Sequence, residues 1–172
     1  MEDFSAREFA IRAHGAQRYG ERPYHVHLAA VAEIVDELVS AGDPVLHAVA
    51  WLHDVLEDTS VEAEELRLRF GHTVTVAVEL VSDPPGKTRK ARKVALHSRL
   101  AEVEAEEHGC RAALIVKAAD RLANARTSLE NSPRKLRLYR AEHSEFRAAV
   151  FRAGLCDRVW AELDVLLGDA GG

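Results

Sequence analysis

Ala50-Trp51-Leu52-His53-Asp54-Val55-Leu56-Glu57-Asp58-Thr59 joins an apolar stripe to a knot of charge. Asp43-Pro44 just upstream reads as an N-cap followed by proline in the first helical position. On a helix begun there, Val45, Val49, Leu52 and Leu56 fall on one face. His53, Asp54, Glu57 and Asp58 then share a neighbouring arc of about 140°. An imidazole and three carboxylates beside a core-facing stripe are poor candidates for a solvated face. Buried together, the carboxylates repel one another and cost several kcal/mol unless positive charge lies among them. A divalent cation would supply it.

Helical punctuation continues on both sides of this stretch. Ser5 and Glu8 form a capping box ahead of Phe9 and Ile11. A second helix is expected from about Tyr24 to Ser40, with Gly42 past its end, and the third runs on from Pro44 through the quoted stretch. A fourth is expected from Ser60 to Phe70, stopped by Gly71, and the β-branched run Thr73 to Val78 reads as buried helix rather than strand. After Asp83-Pro84-Pro85-Gly86, a long helix is expected to reach His108 and stop at Gly109. Another spans about Ala112 to Leu129, and the last two run from about Arg134 to Arg152 and Leu155 to Leu167, divided by Gly154. The fold class is therefore all-α: a single-domain helical bundle of about eight or nine helices over residues 1–167, with 168–172 as a frayed tail.

Composition limits the function classes. A chain of 172 residues, 47% hydrophobic, can fill one core but not two of ordinary size. No apolar run approaches the roughly 18 residues that span a bilayer, and Met1-Glu2-Asp3-Phe4 lacks the apolar region of a secretory signal. Cys110 and Cys156 are too few for a disulfide framework, so free thiols and a cytoplasmic location are the simplest expectation. The net charge of −5 argues against long nucleic acids as partners. It leaves room for a small anionic substrate, which needs only a locally cationic pocket.

Two more charges interrupt apolar helices. His27 lies in the second helix, and Asp120 sits among Leu114, Ile115, Ala118, Ala119, Leu122 and Ala125. Taken singly, His27 could be a satisfied core histidine, His53-Asp54 a surface pair, and Asp120 the partner of Arg121. The ordered set has a simpler explanation: two imidazoles and two carboxylates suit Mn, Fe or Zn with positions left for water, and such a metal makes water a nucleophile toward phosphate esters.

The order His27, His53-Asp54, Asp120 resembles the HD phosphohydrolase superfamily. The wider chain resembles the hydrolase domain of Rel/Spo-type enzymes and the stand-alone small alarmone hydrolases. The likeness is carried by Ala13-His14-Gly15-Ala16-Gln17-Arg18, by Pro23-Tyr24 with His27, and by His53-Asp54-Val55-Leu56-Glu57-Asp58-Thr59. Phe70-Gly71 and Lys117-Ala118-Ala119-Asp120-Arg121-Leu122-Ala123-Asn124-Ala125-Arg126-Thr127 complete it. It implies an HD-domain fold and a manganese-dependent 3′-pyrophosphohydrolase of ppGpp and pppGpp, with one Mn²⁺ per chain on His27, His53, Asp54 and Asp120. It further implies Glu57 and Asp58 as the catalytic pair, Arg18 stacked on the guanine, and Asn124, Thr127 and Tyr139 near the nucleoside. Carboxylate chemistry agrees, since two acids beside a metal can orient a water and take its proton. Residues 87–93, with five cations, read mainly as a solvated helix start, one or two of them rimming a phosphate site.

This chain departs from the pattern at Tyr19, where the family has Lys; at Leu28, where it has Pro; at Asp83, often Thr; and at Ala123, commonly His or Tyr. None of these belongs to the expected metal set, but Tyr19 removes a phosphate contact. Two alternatives therefore stand beside the alarmone hydrolase. One is an HD phosphohydrolase of another nucleotide, such as the 2′-phosphate of NADPH or a nucleoside monophosphate. The other is a catalytically idle nucleotide-binding protein. Too little chain follows Asp120 for a nucleotide synthetase domain.

Overall fold

Ser5 opens the first helix as its sequence requires: its hydroxyl accepts from the Glu8 amide while the Glu8 carboxylate accepts from the Ser5 amide. The computed structural model describes residues 5–168; the acidic start and residues 169–172 of the expected tail lie outside them. Among the described residues there are nine helices: α1 Ala6–His14, α2 His25–Leu38, α3 Pro44–Leu52, α4 Val55–Asp58, α5 Ala63–Val81, α6 Arg89–Ala101, α7 His108–Asn131, α8 Pro133–Val150 and α9 Asp157–Leu167. A two-residue hairpin, β1 Arg18–Tyr19 with β2 Arg22–Pro23, occupies the loop between α1 and α2. Cys110 and Cys156 are both free thiols.

The expected all-α bundle is present, and α7 is its axis. It packs against α2, α3, α5, α8 and α9. Its buried alanines, among them Ala112, Ala113, Ala118, Ala119 and Ala125, let neighbouring backbones approach, while Leu114 and Leu122 fill the spaces between. Between Ala112 and Ala125 no residue of this helix is exposed, so a charge placed there needs a partner inside the bundle.

Three expected boundaries are corrected. The third helix does not continue through Thr59. It ends at Leu52, and the chain turns at His53 and Asp54 before the single turn of α4. The His53 ring bonds the Ala50 carbonyl at 2.7 Å, the group that a continuing helix would offer to the Asp54 amide. Thr59 then closes α4 by donating to the Val55 carbonyl. The fourth helix starts at Ala63 rather than Ser60; Gly71, at φ 83° and ψ 171°, interrupts α5 where a stop was expected, and the helix resumes with the Thr75 hydroxyl on the Gly71 carbonyl.

The third correction concerns α6, which ends at Ala101 rather than His108. Its terminal carbonyls at Leu100 and Ala101, and that of Val103 beyond, accept from the Arg152 guanidinium. Gly109 is not a stop but part of the first turn of α7. A Cβ there would lie 2.9 Å from the Thr73 carbonyl, so glycine allows the close crossing of α5 and α7.

Candidate metal centre and nucleotide cavity

The break between α3 and α4 turns His53 and Asp54 toward α2 and α7. His27 comes from the first turn of α2 and Asp120 from the middle of α7. The imidazoles are buried, at 3% exposure for His27 and 1% for His53, while the Asp54 and Asp120 side chains keep 16% and 14%. His27 Nε2 lies 3.6 Å from Asp54 Oδ2 and 3.2 Å from Asp120 Oδ1. His53 Nε2 lies 3.0 Å and 3.8 Å from the same two oxygens. One donor atom from each of His27, His53 and Asp120 fits within 4.8 Å, and Asp54 borders the same space. The structure thus brings together all four residues expected from the sequence.

These donors fit a cation. The Ala50 carbonyl holds His53 by Nδ1, leaving Nε2 buried and turned toward two carboxylates, 3.0 Å from Asp54 Oδ2. Burial works to lower the His53 pKa, but Asp54, Asp120 and the Ala50 carbonyl overcome it and raise the pKa to about 9. Burial also pushes against ionisation of Asp54 and Asp120. His53 prevails over it at Asp54, and the His27 bond with Lys117 and His53 prevails at Asp120, so both stay below the usual carboxylate range. The space calls for positive charge, and a divalent ion answers it with both imidazoles neutral.

Around the four donors are three further side chains from the sequence motifs, of which Tyr24 and Lys117 were not assigned a task there. The Tyr24 hydroxyl donates to Asp54 Oδ2 at 2.6 Å; burial and the Asp54 charge hold it protonated by raising its pKa far above the ordinary value. Lys117 is buried, donates to the Val81 carbonyl at 3.1 Å and lies 3.6 Å from Asp120 Oδ2. Desolvation would discharge it, but Asp120, Asp54, Glu57 and Asp83 raise its pKa and keep it an ammonium. Asn124 donates to Asp120 Oδ1 at 2.6 Å. A lysine three residues before an aspartate in an otherwise apolar helix was the available sequence signal for Lys117; Tyr24 carried none, because its partner lies 30 positions away.

Glu57 and Asp58 leave α4 toward different partners. Glu57 Oε2 accepts from the Asp83 amide at 3.0 Å, and Asp58 Oδ2 accepts from Gln17 Nε2 at 2.8 Å. Gln17 is in turn bonded to the buried His14 ring at 2.8 Å. Although Glu57 keeps an exposed edge, desolvation of its carboxylate raises its pKa; the Asp83 amide opposes this and the Asp83 charge adds to it.

The other expected contacts are less tightly gathered. A cavity of about 510 Å³ adjoins the donors, with Tyr19, Val26, His27, Thr127 and Ser128 in its wall. Arg18, Asn124 and Tyr139 are not among its lining residues. Arg18 is exposed on β1 and donates to the Glu21 carbonyl. Tyr139, on α8, faces the Arg121 guanidinium, 4.8 Å from its ring centre. Two further hollows, between α1 and α3 and beside the start of α9, include none of the expected site residues.

An all-α bundle with two imidazoles and two carboxylates turned onto one space, the second imidazole and first carboxylate adjacent in sequence, defines the HD class of protein. The chain matches the family described as HD domain over residues 6–148, and it belongs to that family. Within the family it groups with small nucleotide pyrophosphohydrolases. It is 34% identical over 151 residues to the human guanosine-3′,5′-bis(diphosphate) 3′-pyrophosphohydrolase MESH1, covering 86% of this chain and 81% of that protein. The protein of the same name from Drosophila melanogaster is 34% identical over 129 residues, 73% of this chain and 69% of the relative. The fold is also that of a metazoan ortholog of SpoT described as hydrolyzing ppGpp and playing a role in starvation responses. That match has a TM-score of 0.82 and 25% identity, covering 96% of this chain and 93% of the other. Among the described residues no helix is long and apolar enough to cross a membrane.

Proposed function

We propose that this protein is a metal-dependent 3′-pyrophosphohydrolase of guanosine tetra- and pentaphosphate, with the hydrolase unit over residues 1–167 and Mn²⁺ as its metal, working in the cytoplasm. The observation that carries the reading is the convergence of His27 Nε2, His53 Nε2 and the Asp54 and Asp120 carboxylates on one largely buried space. The relatives' activity supports the choice of substrate. In this reading His27, His53, Asp54 and Asp120 hold the ion. When bound, it supplies Lewis acidity toward water and a phosphate oxygen.

The remaining steps belong to the chain's own residues. Lys117 and Tyr24 fix the orientation of Asp120 and Asp54 by the contacts described above. Glu57, whose raised pKa makes it a better proton acceptor than an ordinary glutamate, takes the proton from the attacking water. Asp58, held by Gln17, orients that water. Water adds to the phosphorus attached to the 3′ oxygen, and the bond from that phosphorus to the 3′ oxygen breaks. The products are pyrophosphate and GDP, or GTP from the pentaphosphate. Asn124 and Thr127 meet the nucleoside, Arg18 stacks on the base after leaving the Glu21 carbonyl, and Tyr139 closes the site behind Arg121.

A panel of nucleotides with purified protein and Mn²⁺ tests this. The expected result is pyrophosphate released from ppGpp at least about tenfold faster than orthophosphate from NADPH or nucleoside monophosphates, with all turnover abolished by chelator. Faster release from NADPH would move the assignment to another nucleotide. Binding without turnover of any compound would make the protein an idle member of the family.

A further inference from the structure

Tyr19 is the aromatic wall of the site. Its ring stacks on His27, with centroids 4.8 Å apart and planes 18° apart. Its hydroxyl donates to Asn124 Oδ1 at 2.8 Å and also has Thr127 as a hydrogen-bonding neighbour. The phenol therefore lies in the same layer as the two α7 side chains nearest the proposed nucleoside, and it lines the adjoining cavity.

The charge around that layer is close to balanced. In the cavity wall Glu21 and Glu130 are matched in number by Arg22 and Lys135, and the exposed Arg18 guanidinium beside Tyr19 is engaged by the Glu21 carbonyl. The basic stretch over residues 87–93 offers less than its composition suggests. Arg89 is paired with Glu142, and Arg92 and Lys93 both turn onto the almost fully buried Asp83. Lys87 and Lys90 are exposed. A nucleotide whose 3′ phosphates sit at the donor cluster thus presents its remaining phosphates to a neutral ring, balanced charges and two solvated lysines. Solvent-screened charges of this kind discriminate weakly.

We propose that Tyr19 is a specificity-determining residue that makes the site read the nucleoside and leaves it nearly indifferent to the number of 5′ phosphates; of the function proposed above, this needs only that a guanine nucleotide occupies the cavity. The ring supplies a flat apolar surface beside His27. The hydroxyl fixes the Asn124 amide with its oxygen toward Tyr19 and its nitrogen toward Asp120. Neither interaction responds to charge elsewhere on the ligand.

Calorimetric titration of guanosine 5′-mono-, di- and triphosphate into metal-loaded protein, dialysed free of excess metal, tests the proposal. The wild type should bind all three within about threefold of one another. Tyr19→Lys places an ammonium in the same layer and should make the triphosphate bind roughly 5- to 30-fold more tightly than the monophosphate, a preference that shrinks as salt is raised. Tyr19→Phe should weaken all three by about 3- to 10-fold while keeping the flat profile, because only the hydroxyl's bonds to Asn124 and Thr127 are lost. Wild-type affinity rising tenfold or more with each phosphate overturns the proposal, as does a flat profile in Tyr19→Lys or no binding of any of the three. If Tyr19→Lys does not fold, the wild-type and Tyr19→Phe profiles decide. Flat binding without hydrolysis of ppGpp counts against the hydrolase reading alone.

Discussion

Asp54 and Glu57 stand three positions apart, yet their surroundings give them different work. Asp54 lies 3.0 Å from His53 Nε2 and is held by Tyr24, whereas Glu57 is tethered to a backbone amide at the site's edge. Removing the first should remove the ion. Asp54→Ala is expected to lose bound metal and activity together, measured by elemental analysis after purification without chelator. Glu57→Gln, nearly the same shape, should keep about one metal per chain and lose roughly 100-fold or more in kcat. Near wild-type turnover in that variant would move the proton acceptor elsewhere. The raised pKa of Glu57 adds a sign. Turnover should be full above that pKa and fall as pH drops through it, at a higher pH than an ordinary glutamate would give. That acid limb should be missing from the residual rate of Glu57→Gln. At this scale the sequence was informative wherever a charge interrupted an apolar helix, as at His27 and Asp120. It was silent on Tyr24 and Gln17, whose polar ends look unremarkable until the partners at Asp54 and Asp58 are placed beside them.

Helix starts that carry a local cap were legible, whereas the ends of α3 and α6 were not. Ser5 with Glu8 and Asp43 with Pro44 announce their helices because each cap is completed within three residues. The end of α6 depends on Arg152, about 50 positions away, and no local reading reaches that far. Glycine is ambiguous for a related reason. Gly71 and Gly109 both resemble stops, but only Gly71 interrupts a helix, while Gly109 serves a crossing. The crossing can be tested. Gly109→Ala puts a methyl 2.9 Å from the Thr73 carbonyl, and the strain should cost about 1–3 kcal/mol, read as a lower midpoint in denaturant. Metal content should be unchanged, since Gly109 lies 11 residues, roughly 16 Å along α7, from Asp120. A neutral or stabilising result would show that α5 and α7 have room to separate. The break after Leu52 was invisible for a different reason: Val45 to Leu56 keeps helical periodicity across it, and only the His53 ring on the Ala50 carbonyl shows where the chain turns.

The molecule as a whole should respond to pH according to whether the site holds a cation. In metal-free protein His53, with its pKa raised from 6.5 to about 9, stabilises the fold as an imidazolium. That contribution is fully present below about pH 6.5 and is lost as pH rises through about 9. Metal requires the neutral ring, so loaded protein lacks this loss. Added Mn²⁺ should therefore raise the melting temperature more at pH 9 than at pH 6, by several degrees for a few kcal/mol. An equal gain at both pH values would show that His53 does not carry the charge in the empty site. The axial helix has a consequence for how such a chain can change in length over generations. Lys117, Asp120, Asn124 and Thr127 lie on one rigid rod, each a turn from the next. One inserted residue between Asp120 and Asn124 would rotate everything beyond it by about 100° and carry Asn124 and Thr127 away from Asp120 and Tyr19. Insertions and deletions should be tolerated in the connections at 83–88 and 102–107 and refused between 117 and 127, so the distance from Asp120 to Thr127 is inherited as a fixed length.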